Sequence, residues 1–316
     1  MTRKLPVVAG VAILLVTVVC SWSWRRVRAQ GTMRTIGIPE AGLALIGPGD
    51  PDFDHLASSV LGGGFDPEFD AQRDYSVILH NQSEKRVVAY AVRWEYTEPD
   101  GKRISVAAKS GWIKRLLDGG KRRADAGDDR YGPALLPHAW VIILPYSGYK
   151  KIAWSNTPSN WAVNKAPGDP RYMWYVSHFV SRFSQATDLE AMLDGAFFED
   201  GSFVGPDKSG LFGDFKSELT ARQNLVSYIL RSAQRGRDLD DVAKEIQASF
   251  PSSPPAPREL PGGPPDWSEY HKYFYTKLFL MAYSHGGRDM ALRWAQDNLF
   301  QQPPELKKTA GSRAGP

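Results

Sequence analysis

The sequence predicts a mainly β protein with a helical C-terminal region. The expected architecture is an antiparallel β-sandwich, preceded by an N-terminal transmembrane helix and followed by about four helices. Three observations predict it. Short apolar runs separated by turn residues recur between Tyr75 and Val204, at strand rather than helix length. The apolar period then changes to that of a helix after Asp214. Finally, Leu5–Trp24 is an uncharged apolar run about long enough to cross a bilayer.

With 316 residues the chain can bury one large core or two modest ones. Apolar residues make up 42% of it, with 10 Trp, 13 Tyr and 14 Phe, a composition that packs. The formal charge of +4 arises at the N-terminus, because Arg3, Lys4, Arg25, Arg26, Arg28 and Arg34 precede the first acid. Beyond them, acids slightly outnumber bases, so the basicity does not argue for nucleic acid. The single cysteine, Cys20, lies inside the apolar run, which excludes a disulfide scaffold, a thiolate metal site and a Cys nucleophile from the body.

Taken in order, residues 1–30 read as a membrane anchor or a signal segment. Trp22 and Trp24 suit the membrane–water boundary. Val27-Arg28-Ala29 offers a cleavage site before Gln30, while Arg25 and Arg26 stand between that site and the apolar run and favour an uncleaved anchor. The body is placed on the extracytoplasmic side, with an exported product cleaved at Ala29 or a cytoplasmic-facing body as alternatives. Residues 31–73, rich in Gly, Pro and Asp, read as a flexible acidic tether. Asp50, Asp52 and Asp54 alternate like the start of a calcium loop, but His55 and Leu61 stand where its Gly and Glu belong.

Residues 74–206 form the expected sandwich. Asp74–Gly101 reads as its first hairpin. Val88, Tyr90, Val92, Trp94 and Tyr96 face one side; Val87, Ala89, Ala91, Arg93 and Glu95 face the other and turn wet toward the end. Lys102–Ile113, Trp140–Leu144, Tyr149–Trp154 and Tyr172–Phe183 follow as strands, the last apolar on both faces and therefore central. Lys114–Arg130 reads as a mixed-charge loop. Leu189–Phe198 and Phe203–Val204 flank Asp200-Gly201, a strong hairpin turn.

The run Val77-Ile78-Leu79, the turn Asn81-Gln82-Ser83 and the pair Ala89-Tyr90 together resemble the opening hairpin of bacterial immunoglobulin-like domains. The resemblance covers about 130 residues, and it implies an immunoglobulin-like sandwich that binds or spaces other molecules.

Residues 207–250 carry two helices. Phe215, Leu219, Val226, Ile229, Leu230 and Ala233 form the stripe of the first; Asp238 caps the second, which carries Leu239, Val242, Ala243 and Ile246. Residues 251–265, with seven prolines, are an extended linker. Residues 266–300 carry two more helices separated by Gly286-Gly287, and 301–316 read as a disordered tail.

Catalytic patterns fail one by one. The six histidines, His55, His80, His138, His178, His271 and His285, show no metal-ligand spacing, and no metal or cofactor is expected. Ser147-x-x-Lys150 sits in a turn after Pro145, and its partner motifs are missing. The expected function is a membrane-tethered, non-catalytic binding or scaffold protein of the bacterial envelope, with a protein or glycan ligand and the membrane, reached through Leu5–Trp24, as partners. Trp154 and Trp161 flank the polar segment Ser155–Asn160 and are the candidate glycan-stacking rings. The alternative is a glycan-binding or hydrolytic enzyme whose residues converge only in three dimensions. Asp194, Glu199 and Asp200, near His178, are the first place to look.

Overall fold

A computed structural model describes residues 33–62, 67–111, 134–146, 170–258, 263–299 and 305–309. They contain nine strands and six α-helices. The large sheet has the order β5 (Arg103–Gly111), β4 (Val87–Thr97), β7 (Thr187–Phe198), β8 (Ser202–Val204), β9 (Lys307–Lys308). In addition, β1 (Arg34–Ile36) runs parallel to the start of β7. The small sheet has the order β2 (Leu43–Ile46), β3 (Val77–Asn81), β6 (Trp140–Ile143).

Alternation builds the core. Leu43, Leu45, Val77, Leu79, Val141 and Ile143 of the small sheet share one cluster with Tyr90, Val92, Trp94, Tyr96, Leu193 and Phe198 of the large one. The other face of each sheet is covered by helices. Phe53, Ala57 and Val60 of α1 (Phe53–Leu61) and Phe69 of α2 (Pro67–Gln72) pack on Ile78 and Ile142. Leu211, Phe215 and Leu219 of α4 (Leu211–Gln234) pack on Ala89, Ala91, Phe197 and Phe203. The layers therefore run helix, small sheet, large sheet, helix.

This overturns the expected mainly β, immunoglobulin-like antiparallel sandwich: the class is mixed α/β. The supposed hairpin is the first reason. β3 and β4 do not pair; β3 bonds β2 and β6, whereas β4 bonds β5 and β7. Asn81 makes the crossing between sheets. Its side-chain amide donates to the carbonyls of Lys85 (2.8 Å) and Leu136 (3.0 Å), and its Oδ1 accepts from the Ser83 amide and hydroxyl. Asn-Gln-Ser is a genuine turn, but it changes sheet.

The second reason is Tyr172–Phe183, which is helical, within α3 (Pro170–Gln185). Val176, Phe179, Val180 and Phe183 stand at i, i+3, i+4 and i+7, a helix stripe that also satisfies a two-faced apolar strand. Pro170 opens the helix at a position where its missing N–H is harmless. Phe183 is buried against Tyr75 and Tyr96, with ring centroids 5.2 and 4.9 Å away.

Two further expectations change. The supposed tether carries β1, β2, α1 and α2, because its apolar residues Leu43, Leu45, Phe53, Ala57 and Val60 complete the two cores. The single-pass membrane protein with a transmembrane signal-anchor is also corrected. Among the described residues no helix is long and apolar enough to cross a membrane, and Leu5–Trp24 lies outside them. The expected strand Tyr149–Trp154, the loop Lys114–Arg130 and Ser147–Lys150 also lie outside the described residues.

The C-terminal helices stand where their apolar periods put them. α4 and α5 (Leu239–Ala248) pack on α6 (Ser268–Asp297) through Ile229, Leu239, Val242, Ala243, Ile246, Phe279, Ala291 and Ala295. The Asp238 side chain caps α5 by accepting the Asp240 amide. Gly286 and Gly287 break the helical backbone of α6, dividing it into two arms; Gly287 has φ +58°. The expected β7–β8 hairpin is present, and the tail contributes β9, which pairs with β8.

Candidate functional site

Charged side chains converge on the α4-facing side of the large sheet. Ala89, Ala91, Arg93 and Glu95 of the second set of β4 point this way. A register shift between Val87 and Ala89 swaps the first two residues, turning Val87 to the core between the sheets and Val88 toward α4. Ala89 and Ala91 are small enough for Phe215 and Leu211 to sit on them. Arg93 and Glu95 follow at the same period. They are buried, 4% and 9% exposed, where the sequence suggested a wet face. The reason is an ion-pair chain. Glu95 receives both Arg93 and, at 2.6 Å, Arg103 of β5, and Arg93 also approaches Asp194 of β7 (Nε–Oδ1 3.4 Å).

Asp194 owes its position to a bulge. The β4–β7 register shifts between Ala91↔Gly195 and Val92↔Leu193, so Asp194 is the unpaired extra residue. It is 1% exposed and accepts backbone N–H groups from Lys208 (3.0 Å) and Ser209 (2.6 Å) in the loop entering α4. Gly195 beside it cannot carry a Cβ, which would stand 2.4 Å from the Phe203 ring. One carboxylate thus ties sheet, loop and helix together.

A second convergence joins residues 109, 214 and 271. Asp214 of α4 lies 2.8 Å from His271 Nε2 of α6 and 3.6 Å from Lys109 Nζ of β5. One turn further along both helices, the Tyr275 hydroxyl donates to Glu218 at 2.7 Å. Burial and the Glu218 carboxylate hold the Tyr275 hydroxyl far above its ordinary range, so it stays protonated, donating to Glu218 while also accepting from Arg222. Another turn along, Arg222 donates from Nε to the Asn298 carbonyl at 3.2 Å. Asp214, Glu218 and Arg222, at i, i+4 and i+8, therefore make one polar seam between α4 and α6.

Chemically, the His271–Asp214 pair is the arrangement a general base uses, a carboxylate orienting an imidazole. It is equally an interhelical hydrogen bond. Among the described residues no group of three or more metal-ligating side chains can hold an ion.

The residues singled out from sequence do not assemble. Trp154 and Trp161 lie outside the described residues. Asp194 is structural and faces α4, whereas His178 is an exposed residue of α3, which packs on the opposite face of the sheet. Glu199 lies beside Arg86, with 3.9 Å between them, and Asp200 accepts from Lys85 at 2.7 Å, both in the β7–β8 turn. Burial alone would raise the Asp200 carboxyl, but Lys85 and the Ser202 hydroxyl and amide outweigh it and hold it at about 2.

The polar seam was missed, yet it left a trace. Glu218 and Arg222 stand with Phe215, Leu219 and Val226 on one helical stripe, where an exposed helix would carry apolar residues. No family model, curated protein or solved structure matches this chain.

Proposed function

We propose that the protein is a non-catalytic binding or scaffold protein. The observation that supports this is the chain Asp194–Arg93–Glu95–Arg103. The most buried charges of the large sheet are engaged with one another and with backbone amides, not turned toward a ligand. Such a network holds the sheet, the loop 205–210 and α4 as one rigid body, which is what a platform for a partner needs. A protein or glycan ligand remains the proposed partner class.

The second reading is a hydrolytic enzyme, and one observation favours it. Lys109, Asp214 and His271 are far apart in sequence and meet at the edge of the helical layer with side chains 30%, 22% and 13% exposed. One experiment separates the two. The full-length chain is incubated with chromogenic esters, phosphomonoesters and glycosides from mildly acidic to mildly alkaline pH. The scaffold reading expects no turnover above buffer. Turnover that disappears in folded His271→Asn and Asp214→Asn variants overturns it in favour of the second.

A further inference from the structure

β5 closes the large sheet on one side. All nine of its residues pair with β4 in unbroken register, from Thr97↔Arg103 to Ala89↔Gly111. No described strand lies on its other side. Edges of this length are ordinarily guarded by proline, a bulge or outward charge, because their free N–H and C=O groups template another strand. β5 has no proline and no bulge, and its two charges are each paired with a carboxylate of the same chain, Arg103 keeping its side chain 69% exposed. Arg103 is held by Glu95 at 2.6 Å and Lys109 stands 3.6 Å from Asp214. Ser105 and Ala107 between them are small and exposed, and Ile104, Val106 and Ala108 pack on the core yet keep part of their surface open.

We infer that β5 is a pairing edge whose occupant is the β5 strand of a second copy of this chain. Two copies joined antiparallel about a two-fold axis at Ala107 use all nine residues. Arg103 then faces Gly111, Ser105 faces Lys109 and Ala107 faces itself, so no like charges stand directly opposite. The diagonal approach of Arg103 to the other copy's Lys109 is offset by Glu95 and Asp214, which neutralise both within their own copies. On the other face Val106 meets Ala108 and Ile104 meets Ser110, which covers the apolar surface β5 leaves open. The contact is isologous, so it closes at two and does not propagate. The sheets of the two copies become one.

The test uses the full-length chain in a mild detergent. Sedimentation equilibrium is expected to show a dimer. In a Cys20→Ala background, Ala107→Cys is expected to give a disulfide-linked dimer under mild oxidation, because only this register sets residue 107 against itself. Ser105→Cys, four residues from its own copy across the axis, is expected to give none. Ser105→Lys places Lys opposite Lys109 twice but stands beside Glu95 in its own sheet; it is expected to weaken the dimer roughly tenfold or more with the melting curve of the monomer unchanged. Ser105→Ala is expected to dimerise as the parent does. A monomer at about 0.1 mM, a dimer that Ser105→Lys leaves intact, or cross-linking at 105 rather than 107 overturns the inference. A monomer whose β5 amides are protected from exchange also overturns it, and shows that the chain covers its own edge.

Discussion

The two faces of β4 solve the same burial problem with opposite materials. Toward the small sheet stand Tyr90, Val92, Trp94 and Tyr96, all at most 7% exposed and all in one apolar core. Toward α4 the strand begins with Ala89 and Ala91 and then commits Arg93 and Glu95, buried nearly as deeply. An apolar face gains from any well-packed neighbour, so it tolerates many sequences. A buried ion-pair chain gains only when every member is present, so it fixes which strand lies beside which. In this sheet the apolar face supplies the buried surface, and the charged face links β4 to β5 and β7.

Substitutions on the two faces test that division. Trp94→Ala empties the largest fully buried side chain of the core and frees the Tyr75 carbonyl that the indole N–H reaches at 2.9 Å. A loss of about 4 kcal/mol is expected in urea unfolding. A loss under about 1 kcal/mol would mean that the core collapses around the gap. Asp194→Ala comes next, at roughly 3 kcal/mol, because two loop amides lose their acceptor and Arg93 loses one of its two neighbouring carboxylates. Adding Arg93→Met to it is expected to restore part of that loss, since an apolar pair replaces a buried charge left with Glu95 alone, and Glu95 keeps Arg103. Failure of the second change to restore anything would place the cost in the loop amides instead.

The smallest expected effect lies at the exposed rim, in the β7–β8 turn. Asp200 is held at about 2, below its ordinary 3.8. A depressed carboxylate contributes stability above the unfolded value and loses it as pH falls toward the folded one. The contribution therefore fades between about pH 4 and pH 2, and solvent screening keeps it small. Acid unfolding followed in parent and Asp200→Asn chains is expected to diverge above that window and converge below it.

The same contrast explains which parts of the fold the sequence reveals. Helices α4, α5 and both arms of α6 follow from their apolar stripes, Asp238 and Gly286-Gly287, because those signals are local. The β7–β8 hairpin follows from Asp200-Gly201 for the same reason. Strand partners are not local. Asn81-Gln82-Ser83 looks the same whether the chain turns back on itself or passes to another sheet, and only the partners β2 and β6 decide. Val176, Phe179, Val180 and Phe183 satisfy two periods at once. The ion-pair chain was least legible, since Arg93 and Glu95 on a strand look like a solvent face until Asp194 and Arg103 arrive from elsewhere. His271 and Asp214, separated by 57 positions, carry no spacing signal at all.

The pairing of β1 with β7 bears on how the chain is made. Arg34–Ile36 waits for Glu190–Met192, about 150 residues later, and β8 waits for Lys307–Lys308 after three intervening helices. During synthesis at roughly 5–20 residues per second, β1 stays unpaired for on the order of ten to thirty seconds. Local helices form far sooner than sheet contacts of such separation. Synthesis thus makes the partners within the large sheet available in a fixed order: β4 and β5 first, then β7, which gives β1 its partner, and last β9 beside β8. A nascent chain stalled before residue 190 lacks the strand that joins β1 and β4 in the large sheet.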